Sequence, residues 1–417
     1  MPVPEILITA PVVKWLELDF GESVTILPNA CSFADVDNDG VSEFVAGSIS
    51  GELFIFKSIS AKYWKKSTEQ LGMITAVGAG DIMRKKKNIM YAVTGEGNLY
   101  TFALSASHAL PKDFELESTG KLKDHSSARN RNIDYLTHQT IPPNIVMSVL
   151  ADIDGDGFPE ILFGMTDRVV RSFKWVELSN GPGGITGAFT TMNKWEFSGQ
   201  IGNLSSTTFN GAAEIFVSQP GGCCCRLKTA LSSAQPNAEI AFEPPVYHSS
   251  SVTRTRNNSM QTHVLAGISF TDQEPAFVTT EAVPVKYEKD IYAMCNFDGS
   301  LIVCHEDTVL WEFQTSENLI TIQPLPFRDE FVLAAGSGAV YVVNRNKKMV
   351  KLLLAEPMSG FAVGSYGSVT RPTENINTCA FATISGPKVL IYHDLDIPSN
   401  LDKLGSLWRR PVLKQRA

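Results

Sequence analysis

The sequence has no uninterrupted apolar run of about 18 residues, the length at which a helix becomes able to cross a membrane. Its first 20 residues lack a signal-peptide pattern, because charged residues from Glu5 to Asp19 break the apolar stretch and no basic segment precedes it. Cysteine is scarce: seven residues in 417, an odd number, do not make a disulfide framework. These absences predict a cytoplasmic protein with reduced thiols and no direct membrane insertion.

Excess basic charge and catalytic motifs are also missing. The chain has 36 Lys and Arg against 44 Asp and Glu, and its net charge of −8 argues against general nucleic-acid binding, which needs a basic surface. The glycine-rich loops of nucleotide-binding proteins, the G-x-S-x-G elbow of hydrolases and the H-x-x-x-H pair of metalloproteases do not occur. We therefore predict no catalytic residues, no cofactor-binding residues and no enzymatic activity.

The most informative stretch is an acidic nine-residue motif, D-x-D-x-D-G-x-x-E, which occurs at 35–43 and again at 152–160. The second copy lies 117 residues after the first, and the apolar run that follows each copy repeats at the same distance. Three carboxylates alternate, a glycine permits a sharp bend, and a fourth carboxylate closes the loop. A loop and its following strand therefore recur as a unit, which indicates a repeat protein.

Such a loop offers the oxygen ligands that Ca²⁺ prefers. The candidate metal ligands are the side chains of Asp35, Asp37, Asp39 and Glu43 with the Val41 carbonyl, and the side chains of Asp152, Asp154, Asp156 and Glu160 with the Phe158 carbonyl. The motif is not an EF-hand, which needs its last Glu at position 12 and flanking helices. The competing interpretation is an acidic turn held by hydrogen bonds from its own backbone. We predict a Ca²⁺ site that shapes the loop and has no catalytic role.

Strand–turn–strand units recur along the whole chain. Seven hairpins follow the frame of the first motif, at 34–56, 80–102, 151–173, 214–227, 292–304, 331–343 and 379–392. Their spacing of roughly 40–70 residues suits one four-stranded sheet for each hairpin, with loop insertions. We predict an all-β fold: a seven-bladed β-propeller over residues 1–395, whose ring is closed by an N-terminal strand at 11–20.

Polar segments interrupt the regular spacing of the hairpins at 105–141, 229–262 and 271–286, where we predict loop insertions on the surface. Residues 396–417 are predicted to form a short basic C-terminal tail. In the second hairpin the motif has degenerated: Met83, Lys85 and Ile89 stand at ligand positions, so no metal is predicted there. The adjoining basic run 84–87 is predicted to be a solvated loop tip.

The repeat resembles a known family. The stretches 34–57 and 152–178 resemble the FG-GAP repeat of integrin α-subunit propellers, and more closely a cytosolic FG-GAP repeat family that supplies a subunit of the KICSTOR complex. The most specific part is TDRVVR at 166–171 with WVEL at 175–178. The resemblance implies a non-catalytic scaffold that pairs with kaptin and the other KICSTOR subunits. It further implies recruitment of the GATOR GTPase-activating complex to the lysosomal membrane surface, which restrains TOR complex 1 during amino-acid or glucose deprivation.

Two other functions remain open at this stage. The acidic loops are also typical of a Ca²⁺-dependent adhesion or ligand-binding FG-GAP propeller, although such proteins carry a signal peptide and disulfides. A propeller enzyme with its site on the axis is the third possibility, although no motif of the sequence points to it.

Overall fold

The fold is described from a computed structural model of the chain. It describes residues 5–21, 24–57, 60–105, 114–116, 122–124, 132–181, 184–209, 212–220, 223–228, 246–247, 280–284, 291–305, 308–325, 330–344, 346–368, 377–395 and 397. These residues form strands, turns and irregular segments, with no helix among them, which confirms the predicted all-β class. Within the same ranges, no helix is long and apolar enough to span a membrane.

The first three sheets lie in the N-terminal half of the chain, with strands numbered in chain order. The first sheet contains β3 (Ile26–Ala34), β4 (Glu43–Ser48), β5 (Leu53–Phe56), β6 (Lys65–Ser67) and β12 (Asn132–Ile133). The second contains β7 (Ile74–Gly80), β8 (Ile89–Thr94), β9 (Asn98–Phe102) and β13 (Thr137–Thr140). The third contains β14 (Ile145–Ala151), β15 (Glu160–Met165), β16 (Val169–Gly181) and β17 (Gly184–Glu196). A separate hairpin joins β10 (Phe114–Leu116) and β11 (Leu122–Asp124).

Four further sheets follow along the described chain. The fourth contains β18 (Asn203–Phe209), β19 (Ala212–Gln219), β20 (Cys223–Lys228) and β21 (Val246–Tyr247). The fifth contains β22 (Thr280–Pro284), β23 (Ile291–Asn296), β24 (Ser300–His305) and β25 (Thr308–Gln314). The sixth contains β26 (Leu319–Pro324), β27 (Phe331–Ala335), β28 (Ala339–Val343), β29 (Lys348–Leu353) and β1 (Glu5–Pro11). The seventh contains β30 (Gly360–Gly367), β31 (Asn377–Ser385), β32 (Lys388–Tyr392) and β2 (Trp15–Glu17).

Strands that follow one another within a sheet are antiparallel neighbours, as in a simple meander, except that β12 pairs in parallel with β6. The N-terminal segment departs from this rule, because it adds strands to the last two sheets. β1 pairs in parallel with β29, and β2 pairs antiparallel with β32, where Trp15 lies opposite Tyr392. The sequence predicted one strand at 11–20 and not the separate β1.

Apolar side chains fill the space between consecutive sheets. Tyr91 of the second sheet meets Phe163 of the third edge to face, with 6.5 Å between ring centroids. A cluster of this kind lies between every two consecutive sheets, and another between the seventh and the first, where Phe33 meets Tyr366 at 5.7 Å. Both faces of the central strands are therefore buried, which explains why their sequences are continuous apolar runs instead of alternating ones.

The turns of four central hairpins are built around a glycine with positive φ: Gly51, Gly97, Gly299 and Gly338. The carbonyl of each glycine accepts a hydrogen bond from the segment that follows the hairpin, for example from the Ile141 N–H at 2.8 Å. In the third sheet Arg168 takes this place with φ 67°, and its carbonyl accepts from the Phe197 N–H at 2.9 Å. The turn therefore fixes the path from one sheet towards the next.

All three predicted insertions contain strands, and β21 lies in the region 229–262. The region 105–141 ends with β12 and β13, and the region 271–286 contains β22. The outer strand β13 reads THQT and alternates between half-buried and exposed residues, because it faces solvent at the sheet edge, and so it carries no apolar signal. Apart from residues 246–247, the predicted insertion 229–262 lies outside the described residues, as does the predicted tail 396–417 apart from residue 397.

Candidate functional site

Both acidic motifs fold into loops that the first aspartate organises. The Asp35 carboxylate accepts hydrogen bonds from the backbone N–H groups of Asn38 at 2.7 Å, Asp39 at 3.2 Å and Gly40 at 3.0 Å. Asn38 and Gly40 have positive φ values of 66° and 86°. This aspartate therefore stabilises the curled backbone through its own oxygens, as an Asx-type turn does.

The second motif and the degenerate one repeat this backbone. Asp152 accepts from the N–H groups of Gly155 at 2.8 Å, Asp156 at 3.1 Å and Gly157 at 2.8 Å. Asp81 likewise accepts from the N–H groups of Lys85 at 2.7 Å and Lys86 at 2.8 Å. The loop thus keeps its shape at 81–87 where the other carboxylates are lost, so the first aspartate serves the fold of the loop and needs no metal to do so.

The last carboxylate of each motif is buried at the start of a central strand. Glu43 begins β4 and accepts the Val36 N–H at 3.0 Å, and Glu160 begins β15 and accepts the Ile153 N–H at 3.0 Å. Each glutamate joins the two ends of its loop across seven residues. The predicted side-chain ligands of each loop thus lie on one short segment that this hydrogen bond closes.

Three of these side chains in each loop bring an oxygen within 4.8 Å of one another: Asp35, Asp37 and Asp39 in the first, and Asp152, Asp154 and Glu160 in the second. The predicted carbonyl ligands, Val41 and Phe158, contact the loop through their backbone N–H groups. These donate to Asp39 Oδ1 at 2.8 Å and to Asp156 Oδ1 at 3.0 Å.

A lysine stands at the centre of the first loop. Lys57, directly after β5, places its Nζ 2.7 Å from Asp37 Oδ2, 3.0 Å from Asp39 Oδ2 and 3.3 Å from Glu43 Oε1. Its Nζ also lies 4.5 Å from the centroid of the Trp64 ring, a cation–π contact. The carboxylate oxygens that a cation would use are already gathered around this ammonium.

The second loop has the same arrangement. Lys174 Nζ contacts Asp154 Oδ2, lies 2.7 Å from Asp156 Oδ2 and 3.8 Å from Glu160 Oε1. Asp156 also forms an ion pair with Arg84, whose guanidinium carbon lies 5.3 Å from the centroid of the Phe158 ring. Two cations of the chain therefore pair with this loop, one from its own sheet and one from the degenerate loop of the second sheet.

Burial and neighbouring charges shift the pKa values of the glutamates and the lysine in these loops. Burial makes the larger contribution for the glutamates. It raises the pKa of Glu43 to about 8, with Lys57 opposing the shift and Asp37 adding to it. In the second loop burial raises the pKa of Glu160 to about 7. Burial alone would lower the pKa of Lys57, but Glu43 and Asp37 outweigh it and the net shift is upward. The Lys57 ammonium is thus held in its charged form, and the Glu43 carboxyl is the one driven towards its neutral form.

In this arrangement a lysine ammonium lies at the place that Ca²⁺ would need in each loop. A calcium ion needs several oxygens at about 2.3–2.6 Å, and the oxygens at positions 3, 5 and 9 surround an ammonium instead. A metal ion and the lysine cannot occupy the same place, so binding of Ca²⁺ requires that the lysine leave.

The first loop also joins its sheet to both neighbouring sheets. On one side Asn38 Oδ1 accepts the Asn88 N–H at 2.7 Å, just before the second sheet's β8. On the other side Asn377, the first residue of β31, bonds twice. Its Nδ2 donates to the Gly40 carbonyl at 3.0 Å, and its Oδ1 accepts the Ser42 N–H at 2.8 Å. The loop therefore connects the first sheet to the second and to the seventh.

We expect Asn377→Ala to lower the free energy of unfolding by about 1–2 kcal/mol, because two hydrogen bonds between sheets are lost together. Asn98→Ala is the matched control. Asn98 is also half-buried and also begins a strand, but its side chain bonds to His138 within one sheet. Equilibrium urea unfolding measures both variants, and an equal loss in the two would show that the contact with the loop adds nothing.

The basic run 84–87 is not only a solvated tip. Arg84 pairs with Asp156 and Lys85 pairs with Glu177, both on the third sheet. The prediction was wrong for Arg84 because the sequence does not show that the degenerate loop lies beside an acidic one.

Two cysteines lie in strands near the interior of the sheets, Cys31 on β3 and Cys304 on β24. Burial raises the pKa of Cys31 and of Cys304 to about 12, so both stay protonated at neutral pH. Because the thiolate is the form that binds metals, these two cysteines are poor ligands.

Sequence reasoning missed Lys57 and Lys174, although a signal was present. They are related by the same distance of 117 residues as the motifs themselves, and each follows the apolar run of its second hairpin strand. Extension of the repeat by one residue beyond Phe56 and Phe173 would have paired each acidic loop with a lysine.

Comparison with known proteins extends these observations. The family described as integrin-alpha FG-GAP repeat-containing protein 2 matches residues 57–397. The chain is 31% identical over 406 residues to the KICSTOR complex protein ITFG2 of Mus musculus, which covers 92% of this chain and 85% of that protein. It is 28% identical over 396 residues to the protein of the same name from Bos taurus, covering 92% and 71%.

Among solved structures, the chain resembles one described as BBS1N in complex with ARL6DN, soaked with mercury. The TM-score is 0.53 at 11% identity, and the match covers 92% of this chain and 96% of that one. At this identity the similarity concerns the fold alone.

Proposed function

Because the chain belongs to the integrin-alpha FG-GAP repeat-containing protein 2 family, we propose that it is a non-catalytic subunit of a KICSTOR complex. The observation that carries the proposal is the 31% identity to a KICSTOR complex protein across 92% of the chain. A match of this extent spans the repeats and the segments that join them. The names of the relatives describe membership of a complex, which supports a scaffold role.

We propose the architecture of this scaffold to be a seven-bladed β-propeller. Each of the seven large sheets would form one blade, packed through apolar clusters on the blades before and after it. The ring would close between the seventh and first blades through β2 and the cluster that contains Phe20 and Tyr366. Such a body offers rigid loops on two faces and around a rim, which suits the binding of several partners.

The partners and the cellular role are proposed from the family to which the chain belongs. We propose that the protein pairs with kaptin and the other KICSTOR subunits in the cytoplasm. The assembled complex would help to recruit the GATOR GTPase-activating complex to the lysosomal membrane surface. It would thereby restrain TOR complex 1 when amino acids or glucose are scarce.

The alternative of a Ca²⁺-dependent adhesion propeller has less support. Its metal-binding step would need free carboxylates in the acidic loops, and Lys57 and Lys174 already contact those groups.

Affinity purification of the tagged protein from cells under mild lysis tests the proposal. We expect kaptin, the other KICSTOR subunits and GATOR subunits to be recovered by mass spectrometry. A variant that lacks residues 1–25 is the control for folding and should recover none of them. Failure of the folded full-length protein to recover any of these partners would contradict the proposed function.

A further inference from the structure

We infer that lysine ammonium groups replace the metal ion of both acidic loops, so that Lys57 and Lys174 make the loops independent of Ca²⁺. The inference does not depend on the proposed function, because it concerns how the loops are neutralised and not what the surface binds.

The number of contacts fits an ammonium. Lys57 Nζ lies 2.7, 3.0 and 3.3 Å from oxygens of three different carboxylates, at positions 3, 5 and 9 of the motif. Two of its N–H donors form hydrogen bonds to Asp37 and Asp39, and Glu43 completes the ring of oxygens around the ammonium at ion-pair distance. The Lys57 side chain is 20% exposed, whereas those of Asp37 and Glu43 are 0% and 1% exposed. The charge is therefore held inside the loop and does not belong to a freely moving surface side chain.

The repeat provides an independent comparison within the chain. Both loops that keep all four carboxylates have a lysine 20 residues after position 3, as the Asp37–Lys57 and Asp154–Lys174 hydrogen bonds record. In the degenerate repeat, shifted by 46 residues, the position of Lys57 is Ala103 and the ligand positions hold Met83, Lys85 and Ile89. The carboxylates and the lysine are thus kept together in two repeats and lost together in the third, as an ion pair requires.

Substitution of the lysines by methionine tests the inference, because methionine keeps much of the side-chain volume and removes the charge. We expect Lys57→Met to lower the Tm by about 3–6 °C in EGTA, since carboxylates are left buried without a counter-ion. Addition of Ca²⁺ should restore at least half of that loss, because the vacated place then has free oxygens. Lys174→Met should behave in the same way, with a smaller loss because Arg84 remains on Asp156.

Two controls separate charge from packing. Lys351→Met removes a lysine of similar exposure that pairs with the single carboxylate of Glu317, and it should show no response to Ca²⁺. Lys57→Met combined with Asp37→Asn restores the charge balance but removes a ligand. This double variant should regain part of the Tm in EGTA without a response to Ca²⁺, which keeps the test usable if Lys57→Met folds poorly.

Terbium luminescence gives a second readout for the first loop. Trp64 lies against the site, with its ring centroid 4.5 Å from Lys57 Nζ, and is close enough to sensitise a bound Tb³⁺ ion. We expect Ca²⁺-competed luminescence from Lys57→Met and none from the native protein.

A rise of about 2 °C or more in the Tm of the native protein with Ca²⁺, or saturable Tb³⁺ luminescence from it, would overturn the inference. So would a Lys57→Met protein that is as stable as Lys351→Met in EGTA, or one whose loss Ca²⁺ does not restore. The expected pattern, with Ca²⁺ dependence appearing only when the lysine is removed, supports it.

Discussion

Removal of residues 1–25 is expected to abolish cooperative folding. The deletion takes away β2, the outer strand of the seventh sheet, and β1, the parallel strand of the sixth. It also removes Leu18 and Phe20, which are buried in the cluster between the seventh and first sheets. Burial of one Phe and one Leu stabilises a protein by about 5–10 kcal/mol in total, which is comparable to the whole free energy of unfolding of a typical domain. Circular dichroism during heating should show no cooperative transition.

Single substitutions show how much of the loss of stability comes from individual side chains of the N-terminal segment. The Phe20 ring lies edge-on to those of Phe54 and Phe56, with 5.0 Å between centroids in each case. We expect Phe20→Ala to lower the free energy of unfolding by about 3–5 kcal/mol. Trp15→Ala, on β2 at a residue that is 42% exposed, is the matched control and should cost less than about 1 kcal/mol. A truncated chain that melts like the native one would show that the N-terminal strands are dispensable.

Gly97→Ala is expected to destabilise the protein by more than about 3 kcal/mol. The turn holds Gly97 at φ +90°, where an L-residue costs about 1–2 kcal/mol. A methyl group there would also overlap the Ile141 carbonyl oxygen and lie 3.1 Å from the Pro143 nitrogen. Both are backbone atoms, and the Ile141 N–H is itself bonded to the Gly97 carbonyl, so the two segments cannot separate without breaking the connection to the next sheet.

Gly40→Ala separates backbone strain at positive φ from overlap with neighbouring atoms. Gly40 has φ +86° but nothing within 4 Å of an added methyl group, so only the backbone strain of about 1–2 kcal/mol should remain. Equilibrium urea unfolding of both variants gives the difference. Equal losses would mean that the close approach of the connecting segment to the turn is not what requires a glycine at position 97.

The central strands could be predicted because of where they lie. β4 and β15 are buried on both faces, so their sequences are continuous apolar runs with a glycine near the end. Outer strands could not be predicted in this way. β13 reads THQT, because it lies at the edge of its sheet and alternates between half-buried and exposed residues. β6 reads KKS and pairs on one side with the two-residue strand β12.

The acidic loops also could be predicted only in part from the sequence. The carboxylates were found from their spacing. The side chain of the first aspartate accepts hydrogen bonds from backbone N–H groups of the loop, as the interpretation of an acidic turn required. Lys57 was not found, because it is 20 residues from Asp37 and becomes its neighbour only when β4 and β5 form a hairpin. A local motif identifies the groups that attract a cation, but it does not show whether the chain itself supplies that cation.

The pairing of β2 with β32 has a consequence for synthesis on the ribosome. Trp15 emerges early, yet its partner Tyr392 is made only near the end of the chain. At about 5–20 residues per second, the nascent protein waits roughly 20–80 seconds with this strand edge unpaired. An open edge of this kind pairs readily with other chains, so chaperone protection during translation matters more for this protein than for one whose strands all pair locally.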